Sequence, residues 1–118
     1  MPSNVGLPKT ATIQNGAAAV INSNVKASGG QLKSLLITNL TGATFYVKLY
    51  DKASIVVPAS DVPFHVIPVA TLTTLNLTGL EIRCLNGITI GVTTSVTDTD
   101  AAGTITTAKQ ARLTVIYK

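Results

Sequence analysis

The sequence predicts an all-β protein, a single two-sheet β-sandwich that is jelly-roll-like and has about eight strands. Three observations predict this class. Apolar and hydroxyl-bearing residues alternate along most of the chain, turn residues recur roughly every ten residues, and no segment has a convincing helical period. The 18 threonines favour strands, because β-branched side chains pack well on a pleated sheet. These patterns leave the strand order open.

Composition suits one domain that hides part of its surface. A chain of 118 residues can bury about two-thirds of the surface that it exposes when unfolded. Because only 12% of the residues are charged and 46% are hydrophobic, we expect a homo-oligomer. The net charge is +4, but the basic residues are scattered from Lys9 to Lys118. We therefore expect no direct nucleic-acid binding, and a weak preference for an acidic protein partner is the alternative.

Cysteine usage and hydropathy predict a chain without internal disulfides and without an export signal. Cys84 is the only cysteine, which indicates a reducing cytoplasm and predicts a small, buried apolar side chain. The first ten residues, MPSNVGLPKT, lack the apolar core of a signal peptide. No apolar run reaches the roughly 18 residues of a membrane helix, so we expect no membrane partner.

The sequence predicts two parts of the chain: an extended N-terminal arm over residues 1–9 and the sandwich domain over residues 10–118. Pro2, Gly6 and Pro8 stand among small polar residues, a composition that disfavours a packed element. From Thr10 the pattern ATI and then AAAVI predicts a strand bounded by Asn22-Ser23-Asn24, although its three alanines also permit one helical turn.

The segment Gln31–Asp51 predicts a β-hairpin that turns at Thr41-Gly42. In its first strand, apolar residues fall on both faces, which indicates a central strand covered on both sides. One face would carry Leu32, Leu36 and Leu40, and the other Leu35 and Ile37.

The second strand of this hairpin separates two kinds of residue. Phe45, Val47 and Leu49 are expected in the core. Tyr46, Lys48 and Tyr50 suit a wet face or a contact between subunits, because they combine apolar bodies with polar ends.

The residues from Asp51 to Pro63 predict a surface loop that contains Pro58. Such a loop often binds a partner, and a simple crossover between sheets is equally compatible with the pattern. The next strand is HVIPVATLTTLNL, in which Pro68 marks an edge or a bulge because it cannot donate to a ladder. His65 has no neighbours at metal-ligand spacing and is interpreted as structural.

The last third of the chain predicts three more strands. LEIRC places Leu80, Ile82 and Cys84 inward, and Asn86-Gly87 then predicts a type I′ hairpin turn into ITIGVTT. In that partner strand, Ile88, Ile90 and Val92 are expected on the buried side. The residues 97–100, TDTD, lack the other ligands of a calcium loop and predict a solvated turn. ARLTVIYK closes the chain as a strand that we expect to pair inside a sheet, with Leu113, Val115 and Tyr117 on the face opposite to Arg112, Thr114 and Ile116.

A family resemblance is carried by four segments: ITNLTGATFYVKLYDKA, VPFHVIPV, GLEIRCLNGITIGVTTSVTDTD and RLTVIYK. This succession resembles small virion proteins encoded by tailed bacteriophages. In that group a strand ending in Asn precedes a YVKLYD-like strand, and a later hairpin precedes an Asp-Thr-Asp turn and a closing tyrosine strand. The resemblance covers Leu32–Lys118, about three-quarters of the chain, whereas the N-terminal third departs from it.

The resemblance implies a non-enzymatic structural protein of the phage particle, a head decoration or cement protein that assembles as an oligomer. Its implied partner is the major capsid protein or another virion protein, on the outer surface of a head assembled in the host cytoplasm. A small tail, collar or fibre-base protein is the alternative. The residues that we expect to contact a partner are Pro2, Val5, Leu7, Pro8, Lys9, Tyr46, Lys48, Tyr50, Pro58 and Pro63.

Two other classes of function are less consistent with the residues. A carbohydrate-binding module generally uses aromatic platforms, and this chain has five aromatic residues and no tryptophan. An enzyme needs a nucleophile with a base, paired carboxylates or a metal cluster. With one histidine, one cysteine and five dispersed acids, we expect neither catalysis nor a bound metal or cofactor.

Overall fold

The computed structural model describes residues 7–14, 21–56, 61–94 and 111–118, which form nine β-strands and no helix. The prediction of an all-β protein is confirmed. The strands are β1 (Lys9–Gln14), β2 (Ile21–Lys26), β3 (Gly30–Asn39), β4 (Phe45–Tyr50), β5 (His65–Val69), β6 (Thr73–Leu77), β7 (Ile82–Cys84), β8 (Ile88–Thr93) and β9 (Ala111–Tyr117).

The strands form two antiparallel sheets, an arrangement consistent with a β-sandwich. The five-stranded sheet has the order β1-β9-β3-β6, with β7 also paired to β3. The four-stranded sheet has the order β2-β8-β4-β5. One hydrophobic core receives side chains from both sheets. Because side chains alternate along a strand, each sheet contributes one face to this core.

The core confirms the faces predicted for β4, β8 and β9. The buried apolar side chains of these three strands are Phe45, Val47, Leu49, Ile88, Ile90, Val92, Leu113 and Val115. Cys84 is also buried, as predicted, with 2% of its surface exposed. The C-terminal strand β9 lies between β1 and β3, which confirms that it pairs inside a sheet. Beyond it, Lys118 and Gln31 exchange two backbone hydrogen bonds of 2.7 and 2.9 Å.

The predicted hairpin of β3 and β4 is wrong, although both strands exist. β3 pairs with β9, β6 and β7, whereas β4 pairs with β8 and β5. The turn at Thr41-Gly42 therefore carries the chain from one sheet to the other. Both short turns and sheet-to-sheet corners suit small, polar residues, so the local sequence did not distinguish them.

The fully buried side chain of Asn39 organises this corner. Its Nδ2 donates to the carbonyl oxygens of Val69 at 2.8 Å and Ala43 at 3.0 Å. Its Oδ1 accepts from the backbone N–H of Thr41 at 2.8 Å and from the Thr41 hydroxyl at 2.6 Å. The Thr71 hydroxyl in turn donates to the Thr41 carbonyl oxygen. Asn39 thus satisfies backbone groups that have no place in either sheet.

A bulge in β3 overturns the prediction that both faces of this strand are covered. The register with β9 shifts between Leu32 and Ser34, so Leu32 and Leu35 both point into the core. Leu36 and Leu40 are consequently 41% and 50% exposed. The bulge faces the interruption between β6 and β7, where the N–H of Leu80 donates to the Lys33 carbonyl at 3.0 Å.

The N-terminal part forms two strands instead of the one predicted from Thr10. β1 pairs with β9 and β2 with β8, so they belong to different sheets. Lys9, predicted as the end of the arm, is the first residue of β1 and pairs with Tyr117. The polar run Asn22-Ser23-Asn24 lies inside β2 instead of bounding a strand, for a reason that the functional site explains below.

The segment HVIPVATLTTLNL also divides into two strands in different sheets, β5 and β6. Pro68 lies in β5, the edge strand of the four-stranded sheet, so the edge prediction is confirmed. The turn between the strands contains Leu72, which has a φ of 56° and is 74% exposed. Such a φ places Leu72 in the left-handed region that branched side chains disfavour.

The type I′ hairpin predicted at Asn86-Gly87 is wrong. β7 pairs with β3 and β8 with β2 and β4, so these residues connect two sheets. Neither residue has the positive φ that this turn requires. The predicted turn at residues 97–100 lies outside the described residues.

We expect Leu113→Ala to lower the free energy of unfolding by about 3 kcal/mol, because the side chain is fully buried and its loss leaves a cavity. Leu36→Ala is the matched control and should cost less than about 1 kcal/mol, since Leu36 is 41% exposed. Urea unfolding of both variants measures the difference. Equal losses would show that the face assignment of β3 or β9 is wrong.

Leu72→Asn should stabilise the protein by about 0.5 kcal/mol or more, because asparagine tolerates a left-handed backbone better than leucine. Leu85→Asn is the control, since Leu85 is exposed to the same degree (73% against 74%) but has no positive φ. Thermal and urea unfolding should show a gain only for Leu72→Asn. A loss in that variant would mean that the leucine side chain has a packing role.

Candidate functional site

Three connecting segments meet at the end of the structure where β4 ends and β8 begins. They are residues 51–56, 61–64 and 85–87, and we call them together the Asp51 end. The register places them side by side, because Tyr50 pairs with Thr89 and Leu49 pairs with His65. This end contains the described parts of the loop that the sequence predicted between Asp51 and Pro63.

The carboxylate of Asp51 holds the loop between β7 and β8. It accepts the backbone N–H groups of Leu85 at 3.0 Å, Asn86 at 2.7 Å and Gly87 at 3.2 Å. These hydrogen bonds, first those from Leu85 and Asn86, lower the pKa of Asp51 because they stabilise the ionised form. Asn86-Gly87 therefore belongs to a concave anion-binding loop and not to a hairpin.

Gly87 is required by close packing at this loop. A Cβ at this position would lie 2.6 Å from the Lys26 carbonyl oxygen and would also collide with the Lys52 carbonyl oxygen. Both obstacles are backbone atoms, which cannot move aside as a flexible side chain can. The Asn-Gly signal in the sequence thus reflects a close approach of three segments.

Residues 52–56 cross the outer face of the four-stranded sheet and are tied to it by side chains. Asn22 and the backbone of Val56 exchange two hydrogen bonds, of 2.9 and 3.0 Å, as paired strands would. Asn24 Nδ2 donates to Thr89 Oγ1 at 2.8 Å, and that hydroxyl lies 2.8 Å from the Ser54 carbonyl oxygen. The asparagines of β2 are therefore binding partners for a peptide segment, which explains their place inside a strand.

The burial of two side chains corrects the prediction for the outer face of β4. Lys48 and Tyr50 were expected on a wet face or at a subunit contact, but they are 1% and 5% exposed. Tyr46 is half-buried. Both Lys48 and Tyr50 make further interactions within the chain. The outer face of the four-stranded sheet is thus largely occupied by the protein itself.

Four large apolar side chains are exposed at the Asp51 end. Ile55, Val62, Phe64 and Leu85 expose 60%, 63%, 46% and 73% of their surfaces. The segments that carry them are held in place, since Lys52 pairs with Asp61 and the N–H of Phe64 donates to the Leu49 carbonyl at 2.9 Å. Exposed apolar residues on well-held loops are typical of a surface that contacts another protein.

The other predicted contact residues have mixed outcomes. Pro63 is buried, whereas its neighbours Val62 and Phe64 are exposed, and a contact of Pro63 with a partner stays a prediction. Leu7, 57% exposed, and the exposed Pro8 precede β1 at the same end of the structure, beside the far edge of the five-stranded sheet. Lys9 is exposed within β1. Pro2, Val5 and Pro58 lie outside the described residues.

The described residues contain no group of three or more His, Cys, Asp or Glu side chains that could hold a metal ion. The same part of the chain has no helix that is long and apolar enough to cross a membrane. Burial raises the pKa of the Cys84 thiol and keeps it in its protonated form. The arrangement at the Asp51 end suits contact between surfaces, since four large apolar side chains are exposed there.

Sequence reasoning missed the structural roles of Asp51, Asn22 and Asn24. Asp51 was interpreted only as the beginning of a loop, because its partners are 34 to 36 residues away. The alternation of Asn22 and Asn24 was a usable signal, since two polar residues with one between them share a strand face.

No protein-family model, no curated protein and no solved structure matches this chain.

We expect acid to release the loop at residues 85–87. A carboxyl group with a lowered pKa contributes stability that is fully present above its ordinary pKa of 3.8 and is lost as the pH falls through the lower folded value. In an NMR titration, the amide signals of Leu85 and Asn86 should therefore shift with a midpoint below 3.8.

Asp51→Asn should remove this titration step, because the asparagine side chain does not ionise. The NH₂ group of the asparagine would also face a backbone N–H donor, which weakens the attachment of the loop. Glu81→Gln, a change of the same kind in an acid of the other sheet, should leave the step in place. A midpoint at or above 3.8 in the wild type would contradict the assignment of these hydrogen bonds.

Proposed function

We propose that this protein is a non-enzymatic structural protein of a tailed-bacteriophage virion, a head decoration or cement protein that binds the capsid surface and stabilises it. The observation that carries the proposal is the Asp51 end, where exposed apolar side chains stand on loops fixed by hydrogen bonds. Cementing requires adhesion without chemistry, and such an end provides apolar contact area at little cost in conformational entropy. The strand and turn resemblance described above supports the same class.

We also propose that the fold is a jelly roll. β6 and β7 follow the same edge of β3, opposite Leu35–Asn39 and Gly30–Leu32, and can be counted as one interrupted strand. Of the resulting eight strands, the first then pairs with the last, the second with the seventh, the third with the sixth and the fourth with the fifth. A long antiparallel hairpin rolled into two sheets has this pairing, and viral capsid proteins are among the classes that use it.

The proposed partner is the major capsid protein or another virion protein, on the outer surface of the head. A tail, collar or fibre-base position is the alternative, since adhesion through a rigid β body suits these sites equally. Jelly rolls also occur in lectins, which keeps a carbohydrate-binding module as a more remote candidate. Among the large apolar side chains that the described residues expose, however, Phe64 is the one aromatic ring. We expect the protein to act as a homo-oligomer.

Particles made without this protein provide the test. Deleting its gene from the phage that encodes it should give heads with normal tails that rupture at lower temperature or in weaker osmotic shock. Adding the purified protein should restore their resistance. Electron microscopy of both particles locates the lost density, and the mass in solution gives the oligomeric state. Loss of tails or collars would support the alternative, and unchanged particles that never contained the protein would overturn the proposal.

Leu85→Asp should weaken rebinding to such particles at least tenfold, because it places a charge in the proposed contact. Leu72→Asp is the matched control, since both leucines are exposed to the same degree and Leu72 lies at the other end of the structure. Binding is measured by co-sedimentation with particles that lack the protein. Equal effects of the two substitutions would exclude the Asp51 end as the contact.

A further inference from the structure

The outer face of the five-stranded sheet carries side chains from every strand of that sheet. The register sets it apart from the core, because residues directly opposite each other share a face. Two further contacts extend the register: Lys118 exchanges backbone hydrogen bonds with Gln31, and Lys33 forms an ion pair with Glu81. We call the following set the open face: Thr10, Thr12, Gln31, Lys33, Ser34, Leu36, Thr38, Thr74, Asn76, Glu81, Arg83, Arg112, Thr114, Ile116 and Lys118. Each is exposed or half-buried, whereas their neighbours in sequence, such as Leu35 and Leu113, are buried.

The open face differs from the outer face of the other sheet. Residues 52–56 lie across the four-stranded sheet and bury Thr89 completely. On the five-stranded sheet, by contrast, Leu36 at the centre of the face remains 41% exposed. The hydroxyls of Thr38 and Thr74 beside it lie 3.4 Å apart in an exposed pair. The described residues thus leave one broad sheet surface accessible, with Leu36 at its centre and threonine hydroxyls around it.

Basic residues from distant parts of the sequence are gathered on the open face. The open face has four basic residues, from β3, β7, β9 and the residue after β9: Lys33, Arg83, Arg112 and Lys118. Among the described residues of this face, Glu81 is the one acid. Glu81 is paired with Lys33 at 3.1 Å, so the other three cations determine the charge of the surface. Sequence inspection did not find this cluster because no two of its members are adjacent in the chain.

We infer that the open face is a docking surface for an acidic surface of another protein. Opposite charge favours such a partner and accelerates its approach. A second copy of this chain would bring cations against cations. Single-stranded nucleic acid is less suitable, because the described residues place no aromatic ring on this face for stacking, and binding of a duplex is an outcome of the test below. The inference does not depend on the proposed virion function and concerns a surface distinct from the Asp51 end.

The dimensions of the open face limit its affinity. Four strands and some eight residues along each give about 15 Å by about 25 Å. This area, roughly 400 Å², is half of the ~800 Å² that each partner buries in a standard interface. One such contact is therefore weak, and several copies acting together would bind more strongly. Arg112 and Lys118, about 20 Å apart at about 3.4 Å per residue, fix the separation of carboxylates that the partner needs.

The experiment uses the full chain, with poly-L-glutamate as the acidic probe and a 20-base-pair DNA duplex as the competing class. Calorimetry gives the affinities, and NMR amide shifts on the wild-type protein locate the bound surface. Arg83→Gln with Arg112→Gln should weaken poly-L-glutamate binding at least tenfold, whereas Lys9→Gln with Lys26→Gln should change it less than threefold. The two pairs remove the same charge, and Lys9 and Lys26 do not belong to the open face.

A second matched pair tests the centre of the face. Leu36→Asp should weaken binding at least fivefold and Leu72→Asp less than twofold, although both add one negative charge to an exposed leucine. If a variant fails to fold, the NMR amide shifts of the wild-type protein decide whether the open face binds the probe. These shifts should map to Leu36, Thr114 and Arg112. The inference would be overturned if the two members of either pair lost the same affinity, or if the NMR shifts mapped to another surface. It would equally be overturned if poly-L-glutamate did not bind, if the duplex bound more tightly, or if the protein formed a dimer through this face.

Discussion

Backbone groups that leave a sheet must still be hydrogen-bonded, and Asn39 meets this requirement at the corner on which the two-sheet arrangement depends. Its carboxamide has no exposure and makes four hydrogen bonds, to Thr41, Ala43 and Val69. A buried backbone group without a partner costs about 1–3 kcal/mol. The core needs β3 and β4 on opposite sheets, so the chain must turn here, and a single side chain supplies both donors and acceptors for the turn.

The same solution recurs at the other end of the molecule with different residues. Asp51 accepts three backbone N–H groups of the loop between β7 and β8, and Asn22 pairs with Val56 as a strand would. Side chains thus replace strands at the corner between β3 and β4, in the loop between β7 and β8, and over the four-stranded sheet. The hydrogen bonds of Asp51 and Asn22 fix the backbone of these loops at the surface. The apolar side chains that the loops carry therefore remain exposed.

Local periodicity predicted which residues are buried better than it predicted which strands pair. The alternation in β4, β8 and β9 fixed their core faces correctly, because that pattern depends only on neighbours in sequence. Pairing depends on distant residues, so Thr41-Gly42 and Asn86-Gly87 were both interpreted as hairpin turns when they connect different sheets. The bulge at Lys33 likewise moved Leu36 outward. About two-thirds of the residues of the Asp51 end lay within the predicted loop, but the hydrogen-bond partners of that loop could not be deduced without the fold.

The low charge content has a structural reason that composition alone did not reveal. All three described acids are engaged: Asp51 with backbone N–H groups, Asp61 with Lys52 and Glu81 with Lys33. Anionic groups therefore stabilise loops and a bulge, while three of the remaining cations lie on one face of one sheet. The open face carries four cations and one acid, a formal charge of +3, on a sheet whose backbone groups are already hydrogen-bonded. Because salt screens exposed charges over about 8–10 Å, we expect binding through the open face to weaken with ionic strength more than binding through the exposed apolar side chains of the Asp51 end.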